Sequence, residues 1–148
     1  MRFASPRIAA EWQGADLKGV RVVPALIGIV EDAADFVRSL YAWELMLTCL
    51  LRTPEENDAL YVGRGYHPGT HLDGVHVRGR GGDARIRDVD PEAVRGLHGY
   101  LNERYIYDPE RPTLSVALLE DGITAGSGAH LHLQVHPRTT NRHFTQEP

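Results

Sequence analysis

The fold class predicted by the sequence is a single α+β domain over residues 1–148, with a small antiparallel sheet, flanking helices and a metal site on the sheet. Three observations predict it. A chain of 148 residues with 42% hydrophobic content fills one core, and no internal repeat or linker divides it. Two segments carry apolar residues at helical spacing. The signals run helix, strand, long loop, strand, helix, strand, strand, so the last two strands are neighbours joined by a polar turn.

Residues Met1 to Val30 carry no motif, and a cover over a functional cleft is the role left open to them. Glu31 to Trp43 places Ala34, Phe36, Val37, Leu40 and Tyr41 near helical spacing, and Glu31 and Asp32 suit the positive end of a helix dipole. Leu45 to Leu51 is a continuous apolar run of strand length that stops at Arg52 and the turn-like Thr53-Pro54. From Pro54 to Gly82 no apolar face persists, so a long loop is expected, and loops of this length carry function. Asp83 to Ile86 reads as a short strand. Asp90 caps a second helix with Pro91 in its first turn, and Val94, Leu97, Leu101 and Tyr105 share one of its faces. Thr113 to Leu119 and Ala129 to Val135 read as strands joined by the turn Glu120 to Gly128.

The 16 basic and 20 acidic side chains leave a net charge of -4. That balance offers no field for nucleic-acid phosphates or anionic lipid, so neither a nucleic acid nor a membrane is an expected partner. No run approaches the ~20 apolar residues of a bilayer span, and Met1 to Pro24 lacks a signal-peptide core. The expectation is a soluble monomer made in the cytoplasm. The single cysteine, Cys49, lies in the apolar run and is expected to be a buried, inert thiol.

Six of the eight histidines fall in two clusters, His67, His71 and His76 in the glycine-rich loop and His130, His132 and His136 towards the C-terminus. Alternate side chains of a strand share a face, so His130, His132, Gln134 and His136 are expected on one side and Leu131, Leu133 and Val135 in the core. The loop offers His76, then glycines, then Asp83. Two imidazole nitrogens and one carboxylate oxygen suit zinc, and three protein ligands leave a fourth position for water, as in a catalytic site. A structural site would call for more cysteine. His67 and His71 are expected to border the cleft, and His98 and His143 to lie at the surface; the place of His136 stays open.

The segments Gly74-Val-His76-Val-Arg-Gly79-Arg-Gly81-Gly-Asp83 and Gly128-Ala-His130-Leu-His132 resemble the LAS-type zinc peptidases. That group includes D-alanyl-D-alanine carboxypeptidases, phage endolysin peptidases and the Hedgehog signalling domain. Its pattern is Ser-x-His-x-x-Gly-x-Ala-x-Asp followed by a later histidine on a strand. Gly74 replaces the serine, Gly81 replaces the alanine, and Ala129 stands where many members carry a glutamate, so the likeness is to the His-x-His branch. The resemblance implies zinc on His76, Asp83 and His132, with His130 as the catalytic histidine and Arg52 as the substrate anchor. The implied function is a D,D- or L,D-peptidase acting on peptidoglycan stem peptides, endolysin-like in reaching the cell wall only after release from the cytoplasm.

Zinc in such a site brings the pKa of its water toward ~7 and polarises the scissile carbonyl. His130 then takes the proton or steadies the oxyanion, and both roles stay open. Asp73, Glu120 and Asp121 are reserve candidates for the base. Two other classes remain. A degenerate relative would keep zinc for stability alone, as a phage structural or binding domain. His130-Leu-His132-Leu-Gln134 also resembles the histidine-triad nucleotidyl transferases, a reading that leaves His76 and Asp83 without a role.

Overall fold

A computed structural model describes residues 1–120 and 129–142. Pro24, whose fixed φ and missing N–H suit a first helical turn, opens helix α2 (Pro24–Tyr41), which buries Leu26, Ile29, Val30, Ala33 and Val37 along one stripe. This helix begins about two turns before the expected Glu31. Its first half is so apolar that the periodicity is hidden there. The face expected from Leu40 and Tyr41 is wrong, because these are 64% and 40% exposed. The helix stops where Ala42 takes a left-handed φ of 51° and its N–H bonds Val37 O.

Five strands form the main sheet: β1 (Arg2–Phe3), β2 (Met46–Cys49), β3 (Gly81–Arg85), β5 (Ala117–Glu120) and β6 (His130–Gln134). Their order is β1-β2-β3-β6-β5. All pairings are antiparallel except β1 with β2, which is parallel, so the sheet is mostly rather than wholly antiparallel. Tyr105–Ile106 (β4) and Thr140–Asn141 (β7) pair separately. One face of the main sheet presents Leu47, Ala84, Leu131 and Leu133 to Leu26 and Val30 of α2 and to Leu97 and Leu101 of helix α4 (Pro91–Arg104), forming the core. The expected inward set Leu131, Leu133 and Val135 is buried as the alternation requires. The opposite face carries the polar residues.

Two expected elements differ. Only Ala117–Glu120 of the segment expected as a strand from Thr113 is extended, because Pro112 leads into a turn in which Leu114 N bonds Arg111 O. The segment read as one long loop after Pro54 begins with helix α3, Pro54–Gly63. Thr53 and Glu56 cap it reciprocally, with Thr53 Oγ1 accepting from Glu56 N and Glu56 Oε1 from Thr53 N, each at 3.0 Å. Its single buried side chain is polar, Asn57, so apolar periodicity could not reveal it.

Residues 1–30 supply β1, helix α1 (Pro6–Trp12) and the start of α2. Buried Glu11 accepts from Leu51 N at 3.2 Å, and Arg7 reaches from Glu11 to Glu56 of α3. They brace the β2 edge and do not line the cleft described below, contrary to the role left open for them. Among the described residues, no helix is long and apolar enough to cross a membrane.

Candidate metal centre

Sheet register assembles the site. Cys49 of β2, Asp83 of β3 and His132 of β6 are opposed in one row, and Arg85 of β3, His130 of β6 and Glu120 of β5 in the next. Opposed residues share a face with their Cβ atoms about 5 Å apart, so each row brings its polar groups together without any loop. His76 arrives separately, from the turn between α3 and β3. Its ring packs on Gly81, where a Cβ would lie 2.7 Å from Val75 Cγ2 and 3.3 Å from His76 Cδ2. Gly79, with φ +72°, has no room for a Cβ against Arg21 O at 2.1 Å. The glycine at 81, a departure from the LAS pattern, is thus what this turn requires.

The four histidine and aspartate residues singled out from the sequence lie together, and all are buried. Asp83 Oδ1 is 2.9 Å from His132 Nδ1, 3.3 Å from His76 Nε2 and 3.7 Å from His130 Nε2. Each of the first two imidazoles has its other nitrogen engaged. His76 Nδ1 donates to Leu50 O at 2.8 Å, and His132 Nε2 to Gln134 Oε1 at 3.2 Å. The Gln134 amide is itself oriented by Nε2 donating to Ser115 O at 2.9 Å. His76 Nε2 and His132 Nδ1 are then the two nitrogens that face the carboxylate oxygen. Three acceptors facing one point repel unless a cation lies between them.

In the metal-free protein a proton on His76 meets this need. Burial opposes its charged form, but hydrogen bonds to Asp83 and Cys49 outweigh burial and raise its pKa to about 10. Burial likewise penalises ionised Asp83, yet the His132 and His76 hydrogen bonds hold it well below the usual carboxylate range.

Arg52 donates to Asp83 Oδ2 and to Asn57 Oδ1, each at 3.3 Å. It lines the cleft, but two of its donors are committed to holding the aspartate and α3. Asn57 in turn donates to His71 O and Asp73 O, pinning the loop that leads to His76. Glu120 Oε2 stands 2.9 Å from His130 Nε2. Sequence reasoning held Glu120 only as a reserve and placed it in a turn, whereas it ends β5 opposite His130. Asp73 lines the cleft but is paired with Arg78. Asp121 and His143 lie outside the described residues.

Cys49 is not the buried inert thiol expected. It is half-buried, and its Sγ is 3.6 Å from His76 Nδ1. A register shift between Leu47 and Cys49 explains the difference. Strict alternation from buried Leu47 would put Cys49 in the core, and the extra residue of the irregularity turns it to the polar face. Cys49, His76 and Asp83 bring ligand atoms within 4.8 Å of one another and could hold a metal ion.

The remaining histidines stand apart. His71 stacks on Tyr61 with centroids 4.0 Å apart, behind the cleft wall that Tyr61 forms, and His67 accepts from Thr70 through its carbonyl. His98, expected at the surface, is half-buried on α4 beside Asn102. His136 follows β6 and belongs to a different cluster, with Tyr107, Asp108 and Arg138. No protein-family model, no curated protein and no solved structure matches this chain.

Proposed function

We propose that the chain is a zinc-dependent peptidase of the LAS type acting on peptidoglycan stem peptides, with zinc held by His76, Asp83 and His132. The observation that carries this reading is the gathering of His76 Nε2 and His132 Nδ1 about Asp83 Oδ1, with the other nitrogen of each imidazole bonded elsewhere. Tetrahedral zinc with bonds of ~2.0–2.1 Å sets its ligand atoms about 3.3 Å apart. The two Asp83 separations, 3.3 and 2.9 Å, are close to that spacing, whereas His76 and His132 have to draw together for the set to close on one ion. Cys49, His76 and Asp83 already bring ligand atoms within 4.8 Å of one another, but Cys49 faces the His76 nitrogen that is bonded to Leu50 O, so we assign the third ligand to His132.

Zinc at this point supplies an activated water and a Lewis acid for a scissile carbonyl. His130 Nε2 faces both Asp83 Oδ1 and Glu120 Oε2, so an imidazolium formed by protonation of the other ring nitrogen would be steadied by a carboxylate. Glu120 thereby answers the need that a glutamate at the position of Ala129 would meet. Arg52 orients Asp83 through Oδ2 and presents the rest of its guanidinium to the cleft.

The test is elemental analysis of the purified protein beside release of peptides from purified peptidoglycan, with and without chelator. The expected result is about one zinc per chain and chelator-sensitive turnover. His132→Ala should lose both metal and activity. His130→Ala should keep the metal and lose activity by on the order of 10²–10⁴-fold. Zinc without turnover would leave a metal-stabilised binding domain, and a protein with no zinc would end the proposal.

A further inference from the structure

Arg64 ends α3 and lines the same cavity as His76, Asp83, His130 and His132. Its guanidinium lies over the Tyr61 ring, 4.8 Å from the centroid. Tyr61 is held in turn by His71, stacked at 4.0 Å, and by the edge of Tyr66 at 5.6 Å. Three rings therefore fix where this cation stands. Arg64 Nε is buried with no hydrogen-bond partner, and among the described residues no carboxylate pairs with it. The contrast with its neighbours is informative, since Arg52 is bonded to Asp83 and Asn57 and Arg78 to Asp73. An aromatic-stacked, preorganised guanidinium that lines a cavity and has no carboxylate partner among the described residues is the group best shaped to take a carboxylate through two parallel bonds.

The cavity measures about 220 Å³. That is below the ~300–1,000 Å³ of clefts that enclose a drug-sized ligand, so it suits a chain end or one residue rather than a glycan. We propose that Arg64 is a specificity-determining residue that binds a carboxylate of the stem peptide, so that the protein favours peptides with this group free over the same peptides with it amidated. This rests on the peptidase reading for the identity of the ligand, whereas the anion subsite itself stands on Arg64 and its surroundings.

The experiment compares three stem tetrapeptides as probes: all carboxyl groups free, the glutamyl carboxyl amidated, and the C-terminal carboxyl amidated. Wild type should lose roughly tenfold to a hundredfold in kcat/KM on one amidated peptide, carried mainly in KM, and which peptide suffers identifies the carboxylate. Arg64→Met keeps a side chain over Tyr61 without the charge. It should retain zinc content and melting temperature, weaken on the free-acid peptide and no longer discriminate. Arg64→Lys should restore part of the preference. Equal use of all three peptides by wild type, or unchanged discrimination in Arg64→Met, would overturn the inference while leaving the peptidase reading intact. If wild type turns over none of them, calorimetric binding of the same peptides decides. Carboxylate-dependent binding lost in Arg64→Met would uphold the subsite and remove the peptidase, and binding indifferent to the carboxylates would overturn the subsite.

Discussion

Asp83 occupies the centre of the polar face, with Oδ1 towards three imidazoles and Oδ2 towards Arg52. Its burial is tolerable because both oxygens are bonded, and removing either partner set would leave a buried charge, which costs about 3–5 kcal/mol in comparable cases. Cys49 tests how the ligand set is divided. Because His76 Nδ1 is committed to Leu50 O, Cys49→Ser is expected to leave zinc content unchanged, as measured by elemental analysis, while Asp83→Ala abolishes it. Zinc loss in Cys49→Ser would assign the thiol as a ligand. The proximity of His76, Asp83, His130 and His132 was legible because strand alternation and a short glycine-bearing turn translate directly into position. Cys49 was misread because a strand irregularity leaves no mark in residue types. The bond between His132 and Gln134 was equally hidden, since it depends on Ser115, which is distant in sequence.

Helix α3 shows the same lesson at the scale of an element. Apolar periodicity found α2 and α4, whose buried stripes face the core, but α3 buries only Asn57 and positions Arg64 and Tyr61 at the cleft. The signal that could have found it was chemical: Thr53-Pro54-Glu55-Glu56 combines a capping box with proline in the first turn. Thr53→Ala should cost about 1 kcal/mol of stability in chemical denaturation, as loss of an N-cap usually does. It should also lower activity more than so small a loss would suggest, because Asn57 ties this helix to the loop carrying His76. An unchanged denaturation midpoint would show that the Arg7 and Glu56 contact, not the cap, secures the helix.

Across the whole molecule, acid stability draws on carboxylates remote from the cleft as well as on Asp83. Asp108 is fully buried and is held at a pKa of about 2, chiefly by the Arg111 hydrogen bond, with Glu110 N and Arg138 adding to it. A folded pKa below the unfolded value of ~3.9 means that its stabilisation is complete above that value and is lost as pH falls towards about 2. Melting temperature should therefore drop between roughly pH 4 and pH 2, and Asp108→Asn should start lower and show a flatter decline. An identical slope in the variant would assign the acid sensitivity elsewhere, with Glu56, held at about 2 by Arg7, the next group to replace. The pairing of β3 with β6 has a consequence of its own. Asp83 and His132 lie 49 residues apart in sequence. A slip of one residue between these strands would present Leu131 or Leu133 where His132 belongs. Zinc held as proposed would bind only the correct alignment, so at a hundredfold excess over its dissociation constant it would favour that alignment by about 2.7 kcal/mol. The ion would then proofread strand register as well as serve the chemistry.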